Sequence, residues 1–254
     1  MKNYQGYLID LDGTMYHGNK VIEEAPLFVK RLNDKGIPYL FLTNNSTKTQ
    51  KDVSDKLNNM GIPCTVDHVF TSSMATAKYI KEQNTNGRCY VIGEEGLLQS
   101  LKNEGLTIVK ENSEFVVIGM DRQINYEKLA NACLEVRNGA TFISTNGDIA
   151  IPTERGLLPG NGSLTSVITV STGQVPTFIG KPESIIMDQA LKALGTKKEE
   201  TLMVGDNYNT DIKAGIQAGL DTLMVFTGVT PFGEYSSLEV KPTYYVHNLS
   251  EVNI

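Results

Sequence analysis

Cysteine, histidine and surplus positive charge are all scarce in this chain, and each shortage removes a class of protein. The three cysteines, Cys64, Cys89 and Cys133, are scattered, odd in number and form no C-x-x-C pair, which argues against a disulfide frame and against a zinc site. Buried thiols in a reducing cytoplasm are the expectation. His17, His68 and His247 share no ligand spacing and read as structural or surface residues. Basic residues number 23 against 29 acidic ones, for a net charge of -6, and no basic run exists. The footprint of a phosphate-backbone binder is therefore missing, and no nucleic acid polymer is expected as a partner. No apolar run approaches the roughly 20 residues of a membrane helix. Met1 to Gly6 likewise lack the basic and apolar segments of an export signal. The expectation is a cytoplasmic protein with no membrane partner.

What is present is an ordinary globular composition, 40% hydrophobic over 254 residues, enough for two lobes. Apolar runs of four to six residues alternate with stretches of helical period, the pattern of an α/β fold with a largely parallel, Rossmann-like sheet. Strands are expected at Tyr7 to Ile9, Tyr39 to Leu42, Val69-Phe70, Leu202 to Val204, Thr222 to Phe226 and Tyr244 to Val246. A helix carrying Leu27, Phe28, Arg31 and Leu32 and another carrying Val53, Leu57 and Met60 lie between the first of them. Turn-formers at Asn84 to Gly87 and at Gly173 to Pro176 bracket a second α/β series, with helices at Gly96 to Asn103 and Tyr126 to Arg137. Periodicity does not say whether this middle segment is an insertion.

Chemistry concentrates at strand ends. Asp10-Leu11-Asp12-Gly13-Thr14 directly follows an apolar run, and open α/β sheets bind ligands at the carboxyl ends of their strands. Two carboxylates one residue apart normally straddle a strand, but Gly13 frees the backbone so that both can turn toward one cavity. One can then hold Mg2+, which prefers oxygen ligands, while the other moves a proton. Thr43-Asn44-Asn45-Ser46 ends the second strand with phosphate-donor groups, or caps the next helix. Lys181, ahead of Pro182, either binds phosphate as a point charge or is a solvated lysine. Leu202 to Asn207 repeats the order strand, glycine, carboxylate, and makes Asp206 a further oxygen source for Mg2+. Asp211 opens the next helix and either caps it or orients Asp206.

Taken in order, Asp10 to Thr14, Thr43-Asn44, Lys181-Pro182 and Gly205 to Asp211 resemble the four motifs of the haloacid dehalogenase superfamily of phosphohydrolases. Gly180-Lys181-Pro182, Thr210-Asp211-Ile212 and the long segment before them are similar to its NagD-like branch. That resemblance implies a discontinuous core, 1-82 and 176-254, with 83-175 inserted as a large α/β cap of the C2 type. It implies Asp10 as nucleophile, Asp12 as general acid and then base, and Thr43, Asn44 and Lys181 as phosphate-binding residues. Mg2+ would be held by Asp10, the Asp12 carbonyl and Asp206, with Asp211 behind and Asn207 touching metal-bound water. In the cap, Asn146 and Asp148 face the leaving group by resemblance, or form an Asx turn around Gly147. The expected activity is hydrolysis of small phosphate monoesters: sugar phosphates, phosphorylated sugar acids, nucleoside monophosphates and aryl phosphates. A phosphomutase of the same superfamily and a nonenzymatic, receiver-like phospho-ligand module are the alternatives. The expected partner is a small phosphorylated metabolite; self-association into a homodimer is left open.

Overall fold

The run Gly6–Asp10 is buried at all five positions, as befits a strand covered on both faces in a parallel sheet. It lies inside a six-stranded sheet of spatial order Tyr244–Val246, Asp221–Val225, Thr201–Gly205, Gly6–Asp10, Tyr39–Thr43, Val69–Thr71. The first five of these strands pair parallel throughout. From Gly6–Asp10 the chain first moves outward to one side and later returns to fill the other, so the strand order reverses between Gly6–Asp10 and Thr201–Gly205.

The structure, a computed structural model, describes residues 1–153 and 155–254. It separates into two units: Met1–Thr43, Gln50–Phe70 and Lys181–Ile254 form the first, Asn44–Thr49 and Thr71–Gly180 the second. The helix Ser72–Gln83 therefore sorts with the second unit.

In the first unit, the helix Ala25–Asp34 starts with Pro26 in its first turn and buries Ala25, Phe28, Val29 and Leu32 against the sheet. Leu27, expected on that stripe, faces solvent, because the 3.6-residue period carries it round to the far side. Arg31 donates to the carbonyls of Val252 (2.9 Å) and Leu249 (3.0 Å), which fastens the end of the chain to this helix. Phe41, fully buried among Tyr39, Leu57 and Ile62, anchors the same core. Truncating such a ring costs about 3–5 kcal/mol.

The second unit has its own five-stranded parallel sheet, in the order Thr177–Phe178, Thr141–Ser144, Phe115–Ile118, Arg88–Ile92, Thr107–Ile108. Its core joins Tyr90, Ile92, Val116, Ile118 and Phe142 to Ala132, Cys133 and Val136 of the helix Tyr126–Arg137 and to Ile168 of the helix Asn161–Thr172. Asn125 caps the former helix by accepting from the Lys128 N–H at 3.0 Å. The hairpin Ala150–Thr153/Gly156–Pro159 projects mostly exposed side chains. Among the described residues, no helix is long and apolar enough to cross a membrane. Cys64 is half-buried, Cys89 and Cys133 are buried, and all three are free thiols.

His68 has a structural post. Its Nδ1 accepts the Thr65 N–H at 3.1 Å, and its ring stacks on Tyr39 with centroids 4.3 Å apart. Burial lowers its pKa, against a smaller opposing pull from Asp67. A neutral His68 therefore contributes stability above its unfolded pKa of about 6.5, and that contribution is lost as pH falls through the lower folded value. Urea titrations of the native chain and His68→Gln should show the native advantage shrinking as pH is lowered from neutral into the acid range. An advantage that grows on acidification would contradict this role.

Candidate functional site

The reversal of strand order sets Asp10 and Asp206 side by side, because Ile9 is in register with Val204 and each carboxylate follows at the carboxyl end of its strand. Gly13, at φ 96°, turns the chain back across Asp206. A side chain at Gly13 would collide with the Asp206 carboxylate, so glycine is required there both for its backbone and for the close approach. The Thr14 hydroxyl, fully buried, donates to Asp206 Oδ1 at 3.1 Å and lies 3.5 Å from Asp10 Oδ2.

Asp211 completes the group. Carboxylate oxygens of Asp10, Asp206 and Asp211 lie within 4.8 Å of one another, all three residues buried. Asp211 does not open a regular helix as expected. It sits in a wide π-type turn, Tyr208–Ile212, ahead of the helix Lys213–Ala218, and accepts the Asn207 N–H at 3.0 Å. The wider turn swings Asp211 inward beneath Gly205, where any side chain would strike it.

Lys181, only 2% exposed, enters this cluster from just before the helix Ser184–Leu194. Its ammonium donates to Asp10 Oδ1, to Asp211 Oδ1 at 2.7 Å and to the Leu42 carbonyl at 3.3 Å. A solvated lysine is thereby excluded. Burial works to lower its pKa, but Asp10 and Asp211 outweigh burial and hold the ammonium firmly charged. One ammonium does not balance three buried carboxylates. Burial, then the charge of Asp211, push the Asp206 carboxyl up to about 6, against the Val229 N–H and the Thr14 hydroxyl. Burial and Asp211 also raise Asp10 well above the usual carboxylate range, in spite of Lys181. The cluster is short of positive charge, and its donors are all oxygen, which suits a hard divalent cation.

The other expected site residues are placed as follows. Asp12 is exposed, bridged through its backbone to Tyr16, and stands apart from the three-carboxylate cluster. Thr43 ends its strand half-buried, in the first unit. Asn207 caps the π turn by accepting the Asn209 N–H at 3.0 Å. In the second unit, Asn44 donates to both Asp148 oxygens at 3.2 Å. Asn146 donates to the Asn44 carbonyl at 2.8 Å and accepts the Asp148 N–H at 3.1 Å, the Asx turn weighed above. Asn161 braces this loop by donating to the Asn146 carbonyl at 2.9 Å.

Two contributions escape a reading by motif. The Val229 N–H donates to Asp206 Oδ2 at 2.6 Å, and the Thr227 hydroxyl donates to the Gly13 carbonyl at 2.7 Å. A backbone donor leaves no mark in side-chain chemistry. The only signal was a Thr-Gly pair following the strand Asp221–Val225.

Residues 7–107 match the family model described as haloacid dehalogenase-like hydrolase, and residues 178–252 match a second model of HAD-like hydrolases. The chain is 63% identical over 251 residues to 5'-nucleotidase YutF of Bacillus subtilis, covering 99% of this chain and 98% of the relative. It is 54% identical to an acid sugar phosphatase of Staphylococcus aureus, covering 99% and 97%. The solved structure of NagD from E. coli K-12 superposes with a TM-score of 0.93 at 34% identity, covering 99% of both chains.

Proposed function

Since this chain belongs to the haloacid dehalogenase-like hydrolases, in the NagD-like branch, and is a phosphoric monoester hydrolase, we propose that Asp10 is its nucleophile and that Mg2+ is its cofactor. The observation that carries this reading is the trio Asp10, Asp206 and Asp211, buried at the reversal of strand order with a single lysine among them. The substrates are small monoesters: sugar phosphates, phosphorylated sugar acids, nucleoside monophosphates and aryl phosphates. Relatives named for nucleotides and for acid sugars support that range.

Asp10 and Asp206, with the Asp12 carbonyl, would hold the ion, and the charge deficit of the cluster fits one. When bound, Mg2+ supplies the positive charge that offsets repulsion between a carboxylate and an anionic phosphate. Lys181 fixes Asp10 Oδ1 and so restrains rotation of the carboxylate. Asp10 attacks phosphorus, the ester P–O bond breaks, and Asp12 gives its proton to the departing alkoxide. Asp12, exposed and therefore within reach of water, then takes a proton from the water that opens the aspartyl-phosphate, releasing phosphate and restoring Asp10. Thr43, Asn44 and Lys181 hold the phosphoryl oxygens. Asn207 would help hold the hydrated ion, and Asp211 steadies Lys181 by accepting its ammonium at 2.7 Å. Residues 83-175 act as the cap, and its Asn146 and Asp148 contribute to substrate binding. The three free thiols suit a reducing cytoplasm.

Phosphate release from a panel of sugar phosphates, nucleoside monophosphates and p-nitrophenyl phosphate, with Mg2+ or with a chelator, tests the reading. Release that requires Mg2+ and differs across the panel is expected; release indifferent to chelation would remove the ion from the mechanism.

A further inference from the structure

We infer that the loop 227–230 is a positioning clamp for Asp206, and that it sets the affinity of the carboxylate cluster for its cation. The inference rests on the function just proposed, and goes beyond it to residues outside the four motifs. Asp206 is held at both oxygens: Oδ2 accepts the Val229 N–H at 2.6 Å and Oδ1 accepts the Thr14 hydroxyl at 3.1 Å. Its backbone is held by the same loop, since the Thr230 N–H donates to the Asp206 carbonyl at 3.3 Å. Thr230 Oγ1 in turn accepts the Tyr208 N–H at 2.9 Å, just beyond the strand end that carries Asp206.

The loop is also tied across to the opposite wall. Thr227 Oγ1 donates to the Gly13 carbonyl at 2.7 Å, so the segment after Asp221–Val225 bridges to the turn after Gly6–Asp10. Gly228 lies flat against the carboxylate. A Cβ there would fall well inside van der Waals contact of Asp206 Oδ2 and only 2.8 Å from Gly13 Cα. The φ of Gly228 is not in the left-handed region. Closeness, and not backbone conformation, is what demands glycine there. The Asp206 carboxylate is thus gripped between two glycines, with a donor on each oxygen.

A ligand carboxylate held in this way cannot rotate without breaking one of these bonds. Mg2+ tolerates little departure from octahedral geometry, so aim matters more for it than for a larger ion. Losing a group that orients a metal ligand commonly costs 10- to 100-fold in affinity. Thr227 and Gly228 are positioning residues in this scheme, since they act through Asp206 and Gly13.

The test compares the native chain with Thr227→Val, Thr227→Ser and Gly228→Ala. Two readouts are taken: the Mg2+ concentration at which the melting temperature begins to climb without substrate, which marks the dissociation constant, and the one that half-saturates phosphate release. Thr227→Val keeps the volume and removes the hydroxyl. It should raise both concentrations about 10-fold or more, with turnover at saturating Mg2+ largely retained. Thr227→Ser should restore both, and Gly228→Ala should exceed Thr227→Val. If Gly228→Ala does not fold, the Val and Ser pair decides. Native binding of Mg2+ with Thr227→Val unchanged in both readouts overturns the clamp alone. A native chain whose melting temperature and activity ignore Mg2+ overturns the proposed cofactor and the clamp together.

Discussion

Asp10→Asn is expected to lower phosphate release by at least about 10^4-fold while raising the melting temperature of the metal-free chain. The first effect follows from the proposed role of Asp10 as nucleophile, because an asparagine amide cannot form an aspartyl-phosphate. The second follows from charge. Asp10 is buried beside Asp211 and Asp206, and its ionised form is disfavoured by both burial and those neighbours. The amide keeps the shape, removes one of the crowded negative charges and leaves Lys181 its bond to Asp211. Chemistry and stability should therefore move in opposite directions. Phosphate release remaining within about 10-fold of native would rule out Asp10 as the nucleophile. A metal-free chain that melts lower would mean that the Asp10–Lys181 pair outweighs the repulsion.

Lys181→Met should lose on both counts. The ammonium is bonded to Asp10 and Asp211, with both partners buried. Removing one member of a buried ion group leaves uncompensated charge and costs about 3–5 kcal/mol. Methionine replaces the stem but supplies no counter-charge, so denaturant unfolding should show a loss of that order. Turnover should fall by about 10^2 to 10^3, the usual cost of deleting a group aimed at a phosphoryl or oxyanion charge. Added Mg2+ should recover more stability in this variant than in the native chain, because the cluster it neutralises is further out of balance. A variant that unfolds within about 1 kcal/mol of native would show that the cluster does not depend on its lysine.

The strands that build the site were legible because parallel sheets bury both faces of their central strands. Gly6–Asp10 and Thr201–Gly205 accordingly stand out as apolar runs that end in glycine or carboxylate. Amphipathic helices are equally legible: Tyr126–Arg137 forms over the residues its periodicity indicates, and Glu95–Asn103 starts one residue before the expected Gly96. The helix Asn161–Thr172 is not legible in the sequence. It carries no charged residue, and is rich in Val, Ile, Thr and Ser, so it lacks both the polar face and the propensity that mark a helix. Packing of Thr165 and Ile168 into the second unit forms it nonetheless. The hairpin Ala150–Thr153/Gly156–Pro159 was hidden for a related reason, since Pro152 and Pro159 make its strands read as loop.

The sequence by itself determined the α/β class, the strand ends where chemistry collects, and the identity of the acidic groups and of Lys181. Each depends on local pattern: burial period, a following glycine, a carboxylate in place of an apolar residue. Only the tertiary structure decided which carboxylates meet. Strand register brings Asp10 against Asp206, the π turn swings Asp211 inward, and Lys181 arrives from 171 residues farther along the chain than Asp10. It also decided that a backbone N–H of Val229 and the bare face of Gly228 hold Asp206. Such contacts come from parts of the chain far apart in sequence and from atoms common to every residue, so no local pattern records them.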